Sequence, residues 1–169
     1  MGELESFLEV YRKMGGQYEG KSGTLRVNGE RVCSPVPLVE TGIYPGFPTD
    51  LQAPLMAVLA GIQGVSRIRE KIFDDRFGSA LQMRKMGAHI EITGNTAVIC
   101  GTDTLKGCTT EAGDLRGGAA LIIAALGAKG ETCIRRTEFI SRGYEHICED
   151  LEALGCRIWQ SSGKGNERI

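Results

Sequence analysis

The chain repeats itself, and that constrains its fold more than any other feature. Residues 64–90, GVSRIREKIFDDRFGSALQMRKMGAHI, lie over residues 130–158, GETCIRRTEFISRGYEHICEDLEALGCRI. Gly64, Phe73, Arg76 and Gly87 then fall on Gly130, Phe139, Arg142 and Gly155. Upstream, TDLQAPLMAVLAGIQG falls on GDLRGGAALIIAALGAKG and brings Asp50 onto Asp114. The segment RKMGGQYEGKSGTLRVNG (12–29) matches RKMGAHIEITGNTAVICG (84–101) at one constant spacing. A period of roughly 65–70 residues means that each copy is one supersecondary unit that buries its apolar surface against the others. The expected organisation is a partial repeat over 1–32, repeats over 33–104 and 105–160, and a polar tail over 161–169, forming one domain.

Each unit reads as β-α-β-α-β-β. In the first, VPLVE (36–40) is an expected strand, and Leu51, Leu55, Val58, Leu59 and Ile62 mark one helix face. VSRIRE (65–70) is a second strand, and a second helix begins near Phe77 and stops at Gly87, the usual place for a glycine after a helix. HIEIT and TAVIC flank Gly94-Asn95, a hairpin signal. In the second unit the expected elements are CTTEA, a helix over 114–128, ETCIRR, a helix over 142–154 with Tyr144, Ile147, Leu151 and Leu154 on one face, and the strand CRIWQ. LRGGAALIIAALGA carries a single charge and is apolar almost all round, as a fully buried helix is. The strands RIRE, HIEI and CIRR carry charges on alternate residues, so each has a wet face. The fold class that follows is α/β, an inside-out barrel with helices inside and sheets outside.

Composition narrows the function. Apolar residues make up 41% and charged residues 24% of 169, and the net charge is −1 with no basic run, so a nucleic-acid partner is not expected. No apolar stretch is long enough to span a membrane, and the N-terminus lacks the pattern of a signal peptide. The six cysteines form no C-x-x-C pair and the two histidines stand apart from them, which argues against a metal site. Scattered cysteines without a signal suit a reducing cytoplasm. Glycine, 24 of 169, is frequent enough to imply many turns.

The candidate chemical residues each have two readings. Thr49-Asp50 ahead of an apolar helix is an N-terminal capping signal, and Asp114 fits the same explanation. Arg76 and Arg142 both fall where a helix should start, an unfavourable place for a cation. Each could pair with a nearby carboxylate, Asp74 or Asp75 for Arg76 and Glu138 for Arg142. Alternatively, helix N-terminus and guanidinium together form an anion site for phosphate or carboxylate. Cys100 and Cys133 read as small apolar residues of core or sheet, His89 as surface, His146 as part of a charged helix face, Trp159 as a packing residue, and the tail SSGKGNERI as frayed.

The motifs ETGIYPGFPTDLQ, IFDDRF, RKMGAHIEITGNTAVICG, DLRGGAAL and ISRGYEHICEDLEALGCRI closely resemble the C-terminal part of the UDP-N-acetylglucosamine 1-carboxyvinyltransferase family, over nearly the whole chain. The resemblance implies an enolpyruvyl transferase that moves the enolpyruvyl group of phosphoenolpyruvate to the 3-hydroxyl of UDP-N-acetylglucosamine in peptidoglycan synthesis, with no metal and no cofactor. It implies a fold of two inside-out α/β domains. It implies that Asp50 contacts the sugar 3-hydroxyl as the base, that Ile72 contacts UDP-N-acetylglucosamine, that Arg76 is an active-site arginine, that Asp114 and Arg116 face the cleft, and that Arg142 holds phosphoenolpyruvate. The family's proton-donating Cys loop and its Lys-Asn pair have no counterpart here. The expectation is therefore one domain of a two-domain enzyme, inactive alone. The related shikimate-pathway enolpyruvyl transferase and a non-catalytic ligand-binding domain of the same fold are the alternatives; GFPTDLQ and SRGYEH favour the UDP-sugar enzyme.

Overall fold

The computed structural model describes residues 4–160; the polar tail read over 161–169 lies outside them. The partial repeat supplies α1 (Glu5–Lys13) and the antiparallel hairpin β1 (Gln17–Lys21) and β2 (Thr24–Asn28). The first full repeat runs β3 (Val39–Glu40), a 3-10 turn Thr49–Leu51, α2 (Gln52–Ala60), β4 (Gly64–Arg69), α3 (Gly78–Lys85), β5 (His89–Thr93) and β6 (Thr96–Gly101). Its sheet has the order β3-β4-β6-β5, with β3 parallel to β4 and the other pairs antiparallel. The second repeat contributes β7 (Thr109–Glu111), α4 (Leu115–Leu126), β8 (Cys133–Arg135), α5 (Glu138–Ser141) and α6 (Ile147–Ala153), with β7 parallel to β8.

The repeat in the sequence is a repeat in the backbone. Gly15, Gly87 and Gly155, which follow α1, α3 and α6, have φ of 100°, 90° and 90°. That is the left-handed conformation that ends a helix and turns the chain out of it, and only glycine adopts it without strain. Register agrees as well: Thr41 donates its backbone N–H to Arg69 O at 2.9 Å, and Ala112 does the same to Arg135 O at 3.0 Å.

α2 and α4 pack against each other at the centre. α4 has no exposed residue before Leu126, as its pattern required. α2 goes further than the single face expected of it: Leu55, Met56, Ala57, Leu59 and Ala60 are all buried. Its polar opening residue, Gln52, is buried too. The strands keep one wet face, since Ser66 and Ile68 of β4 are buried while Arg67 and Arg69 are exposed. The described strands form three separate sheets, none of them closed.

Three expectations in the second repeat need correction. The helix over 142–154 is two pieces, α5 and α6, because Thr137 starts the first one turn early and Arg142–His146 interrupt it. Of the face expected there, Ile147 and Leu151 pack against the core, but Leu154 is 79% exposed and Tyr144 precedes α6. CRIWQ forms no strand: nothing among the described residues pairs with it, whereas in the first repeat the hairpin strand β6 bonds to β4. Trp159 is only partly packed, 43% exposed at the edge of a hollow of about 410 Å³ that Ile122, Leu126 and Ile134 also line. Cys100 lies in the sheet, on β6, as expected, with its side chain exposed.

Candidate active site

Asp50 sits in the middle of the 3-10 turn that leads into α2. The residues in the capping positions are Pro48 and Leu51, and neither the turn nor α2 receives a side-chain cap. Asp50 is therefore not a cap. Its Oδ1 accepts a hydrogen bond from Arg116 Nε, and Arg76 Nη1 stands 4.0 Å from the same oxygen. Oδ2 has no hydrogen-bond partner among the described residues, and the side chain is 54% exposed. The hydrogen bond from Arg116 lowers the Asp50 pKa, opposed by partial burial and reinforced by the charges of Arg116 and Arg76. The same contact raises the pKa of Arg116. An ionised, half-exposed carboxylate with one oxygen held and the other free of hydrogen bonds among the described residues can accept a proton.

Asp114, which occupies the same place in the second repeat, takes the other role. It is the N-cap of α4 and accepts hydrogen bonds from the backbone N–H groups of Arg116 at 2.9 Å and Gly117 at 2.8 Å. Of the two aspartates that open the matching motifs, Asp114 caps a helix and Asp50 does not. By capping α4, Asp114 fixes the start of the helix from which Arg116 reaches to Asp50.

Arg76 lies just before α3 and stacks on Phe73, its guanidinium carbon 4.5 Å from the ring centroid. Its carboxylate neighbour is Asp50, not Asp74 or Asp75. Ile72, in the loop between β4 and α3, is 36% exposed. A cleft of about 60 Å³ between the starts of α2, α3 and α4 is lined by Gln52, Asp75, Arg76, Ser79, Asp114 and Arg116. Gln52 Nε2 and Ser79 Oγ are buried there with no hydrogen-bond partner among the described residues. Helix starts, two guanidinium groups and unpartnered donors are the ingredients of an anion site.

Arg142 departs from expectation. It is the C-cap of α5, not a helix start, so the helix dipole favours its charge rather than opposing it. It is exposed and makes no ion pair among the described residues; Glu138, its expected partner, pairs with Arg136 at 3.8 Å. Its neighbourhood still borders the site. A methyl group added at Gly143 would come 2.8 Å from the side chain of Leu115, the first residue of α4.

Sequence reasoning missed Glu70. It is 2% exposed at the end of β4 and accepts hydrogen bonds from Thr41, Thr49, Ile72 and Phe73. Burial alone would raise its pKa, but these donors outweigh burial and lower it. The signal was present: period two along the strand puts Ser66, Ile68 and Glu70 on the inner side together.

The class that fold and site define is an α/β domain with one complete β-α-β-α-β-β unit between two partial copies, with a carboxylate and two arginines gathered where helices begin. The chain belongs to the EPSP synthase family: the model of EPSP synthase (3-phosphoshikimate 1-carboxyvinyltransferase) matches residues 2–151. It is 45% identical over 162 residues to the UDP-N-acetylglucosamine 1-carboxyvinyltransferase of Azorhizobium caulinodans, covering 95% of this chain and 37% of that protein. The protein of the same name from Desulfofundulus thermocisternus is 40% identical over 158 residues, covering 94% of this chain and 65% of that protein. Among solved structures, the enolpyruvyl transferase NikO from Streptomyces tendae superposes with a TM-score of 0.78 at 28% identity, over 90% of this chain and 35% of that one. An EPSP synthase from Acinetobacter baumannii shares the fold, with a TM-score of 0.64 over 79% of this chain and 32% of that one. The chain thus spans between about a third and two thirds of the length of these proteins. No helix among the described residues is long and apolar enough to cross a membrane, and they hold no cluster of His, Cys, Asp and Glu able to bind a metal ion.

Proposed function

We propose that this chain is one domain of a two-domain, cytoplasmic enolpyruvyl transferase that acts on phosphoenolpyruvate and UDP-N-acetylglucosamine. In this reading the helices form the inside and the sheets the outside of an inside-out barrel. The observation that carries the reading is the state of Asp50: not used as a cap, held at Oδ1 between Arg116 and Arg76, and without a hydrogen bond to Oδ2 among the described residues. Asp50 takes the proton of the sugar 3-hydroxyl as that oxygen adds to C2 of phosphoenolpyruvate. A donor outside this chain protonates C3, and loss of phosphate from C2 together with a proton from C3 then restores the double bond. Arg76 and Arg116 keep Asp50 ionised and face the anionic substrates. Ile72 and Asp114 border the sugar, and Arg142 holds phosphoenolpyruvate. The names borne by relatives at 40–45% identity support the UDP-sugar substrate over shikimate 3-phosphate.

The test is phosphate release. The chain alone should release none from phosphoenolpyruvate with UDP-N-acetylglucosamine. Joined to the remaining part of the Azorhizobium caulinodans relative, it should release phosphate only when both substrates are present. A joined protein that melts cooperatively but releases no phosphate refutes the reading.

A further inference from the structure

Glu70 is a buried carboxylate whose described partners are all uncharged donors. Its Oε1 accepts from Thr41 Oγ1 at 2.7 Å, Ile72 N at 2.8 Å and Phe73 N at 3.2 Å. Its Oε2 accepts from Thr49 Oγ1 at 2.8 Å. Burying a charge without a counter-ion is costly unless its lone pairs are filled, and here four donors fill them. The four partners belong to three segments. Thr41 follows β3, Thr49 directly precedes Asp50, and Ile72 and Phe73 open the loop before α3. Phe73 carries Arg76 on its ring, and Arg76 returns to Asp50 at 4.0 Å. The contacts close a ring: Glu70, Thr49, Asp50, Arg76, Phe73 and back to Glu70.

The second repeat is an internal control. Its backbone equivalent of Thr41 is Ala112, since both residues bond to the matching strand carbonyl. The spacing that places Asp50 on Asp114 places Thr49 on Gly113, and the spacing that places Phe73 on Phe139 places Glu70 on Arg136. The second unit pairs β7 with β8 and buries α4 without any of the three polar groups. The cluster is therefore not something the unit needs in order to fold. It occurs in the unit that carries Asp50. We propose that Glu70 is a positioning residue: it ties the Thr49-Asp50 turn to the Ile72-Phe73 loop and so sets the Asp50 carboxylate against the Arg76 guanidinium. Which reaction this serves rests on the function proposed above; the geometric role does not.

Two readouts test it. In the chain itself, Glu70→Ala should speed hydrogen exchange at the Ile72 and Phe73 amides about tenfold or more, the loss of bonds to a charged acceptor, with the α4 amides unchanged. In the joined enzyme, Glu70→Ala should lower kcat about a hundredfold, as misplacement of a reacting group does. Glu70→Gln, which keeps the shape and an accepting oxygen, should return both readouts to within about threefold of wild type. If Glu70→Ala does not fold, Thr41→Val removes one donor far from the substrates and should move both readouts in the same direction. Unchanged loop exchange overturns the proposal. So does a fall in Tm with kcat intact, or a Glu70→Gln as damaging as Glu70→Ala. If the joined wild-type enzyme is inactive, the functional reading fails, and exchange at Ile72 and Phe73 alone decides what Glu70 holds.

Discussion

Replacing Asp50 by Asn separates chemistry from stability, because the structure gives small values for one and large values for the other. The carboxylate makes no capping bond, so none is lost. What it loses is an ion pair with Arg116, in which the side chains are 37% and 54% exposed, and a second pair at the 4.0 Å limit with Arg76, which adds little. Exposed pairs contribute about 0.2–1 kcal/mol, and at this chain length about 1 kcal/mol moves Tm by roughly 2–4 °C. The fall in Tm should therefore stay under about 4 °C. The amide cannot take a proton, and loss of a general base typically costs about 10²–10⁴-fold in rate, which is about 3–5 kcal/mol of barrier. Measuring kcat by phosphate release in the joined enzyme and Tm on the same sample gives both values. As a control, Asp114→Ala should lose about 0.5–2 kcal/mol of stability, because that side chain does cap a helix. If Asp50→Asn keeps kcat within a few-fold of wild type, or costs as much stability as Asp114→Ala, the assignment of roles to the two aspartates is refuted.

Arg142→Ala should leave the Tm of the chain within about 2 °C, since the residue is an exposed C-cap without an ion pair among the described residues and surface changes are usually within about 0.5 kcal/mol. In the joined enzyme it should raise the KM for phosphoenolpyruvate about ten- to a hundredfold, the value of a lost bond to a charged group, with UDP-N-acetylglucosamine binding nearly kept. Gly101→Ala should destabilise the chain by about 3 kcal/mol or more, read as a shift in urea midpoint, because overpacking against backbone cannot relax: its Cβ would lie 1.6 Å from the Ile62 carbonyl oxygen. For pH, Glu70 has a folded pKa below its unfolded one. Its contribution is present above the unfolded value, around 4, and is lost as pH falls through the folded value. The urea midpoint of wild type should thus drop more between pH 6 and pH 3 than that of Glu70→Gln; equal drops would contradict the sign.

What could be read from the sequence alone was whatever depends on periodicity. The repeat, the glycines that close α1, α3 and α6, the hairpin turn at Gly94 and the buried α4 all follow from spacing and from which residues tolerate which backbone. These are local constraints, and a local pattern is enough to state them. The break at Arg142–His146 was not legible in the apolar spacing, which runs on through it; in the structure Gly143 lies so close to Leu115 that a Cβ there would come within 2.8 Å of its side chain. The failure of CRIWQ as a strand has the same origin, since a strand depends on a partner that its own residues do not reveal. The site shows the division most clearly. Asp50 and Asp114 open matching motifs, and their own sequence patterns do not show which of them caps a helix. Only the tertiary structure brings Arg116 and Arg76 to one carboxylate and leaves the other to cap its helix. Glu70 is a charge at the end of a strand until Thr41, Thr49 and the 72–73 loop arrive from three places in the chain. Periodicity acts over a few residues and is written in sequence order, whereas the protonation state and direction of a side chain depend on groups far away in sequence that only folding brings within hydrogen-bond reach.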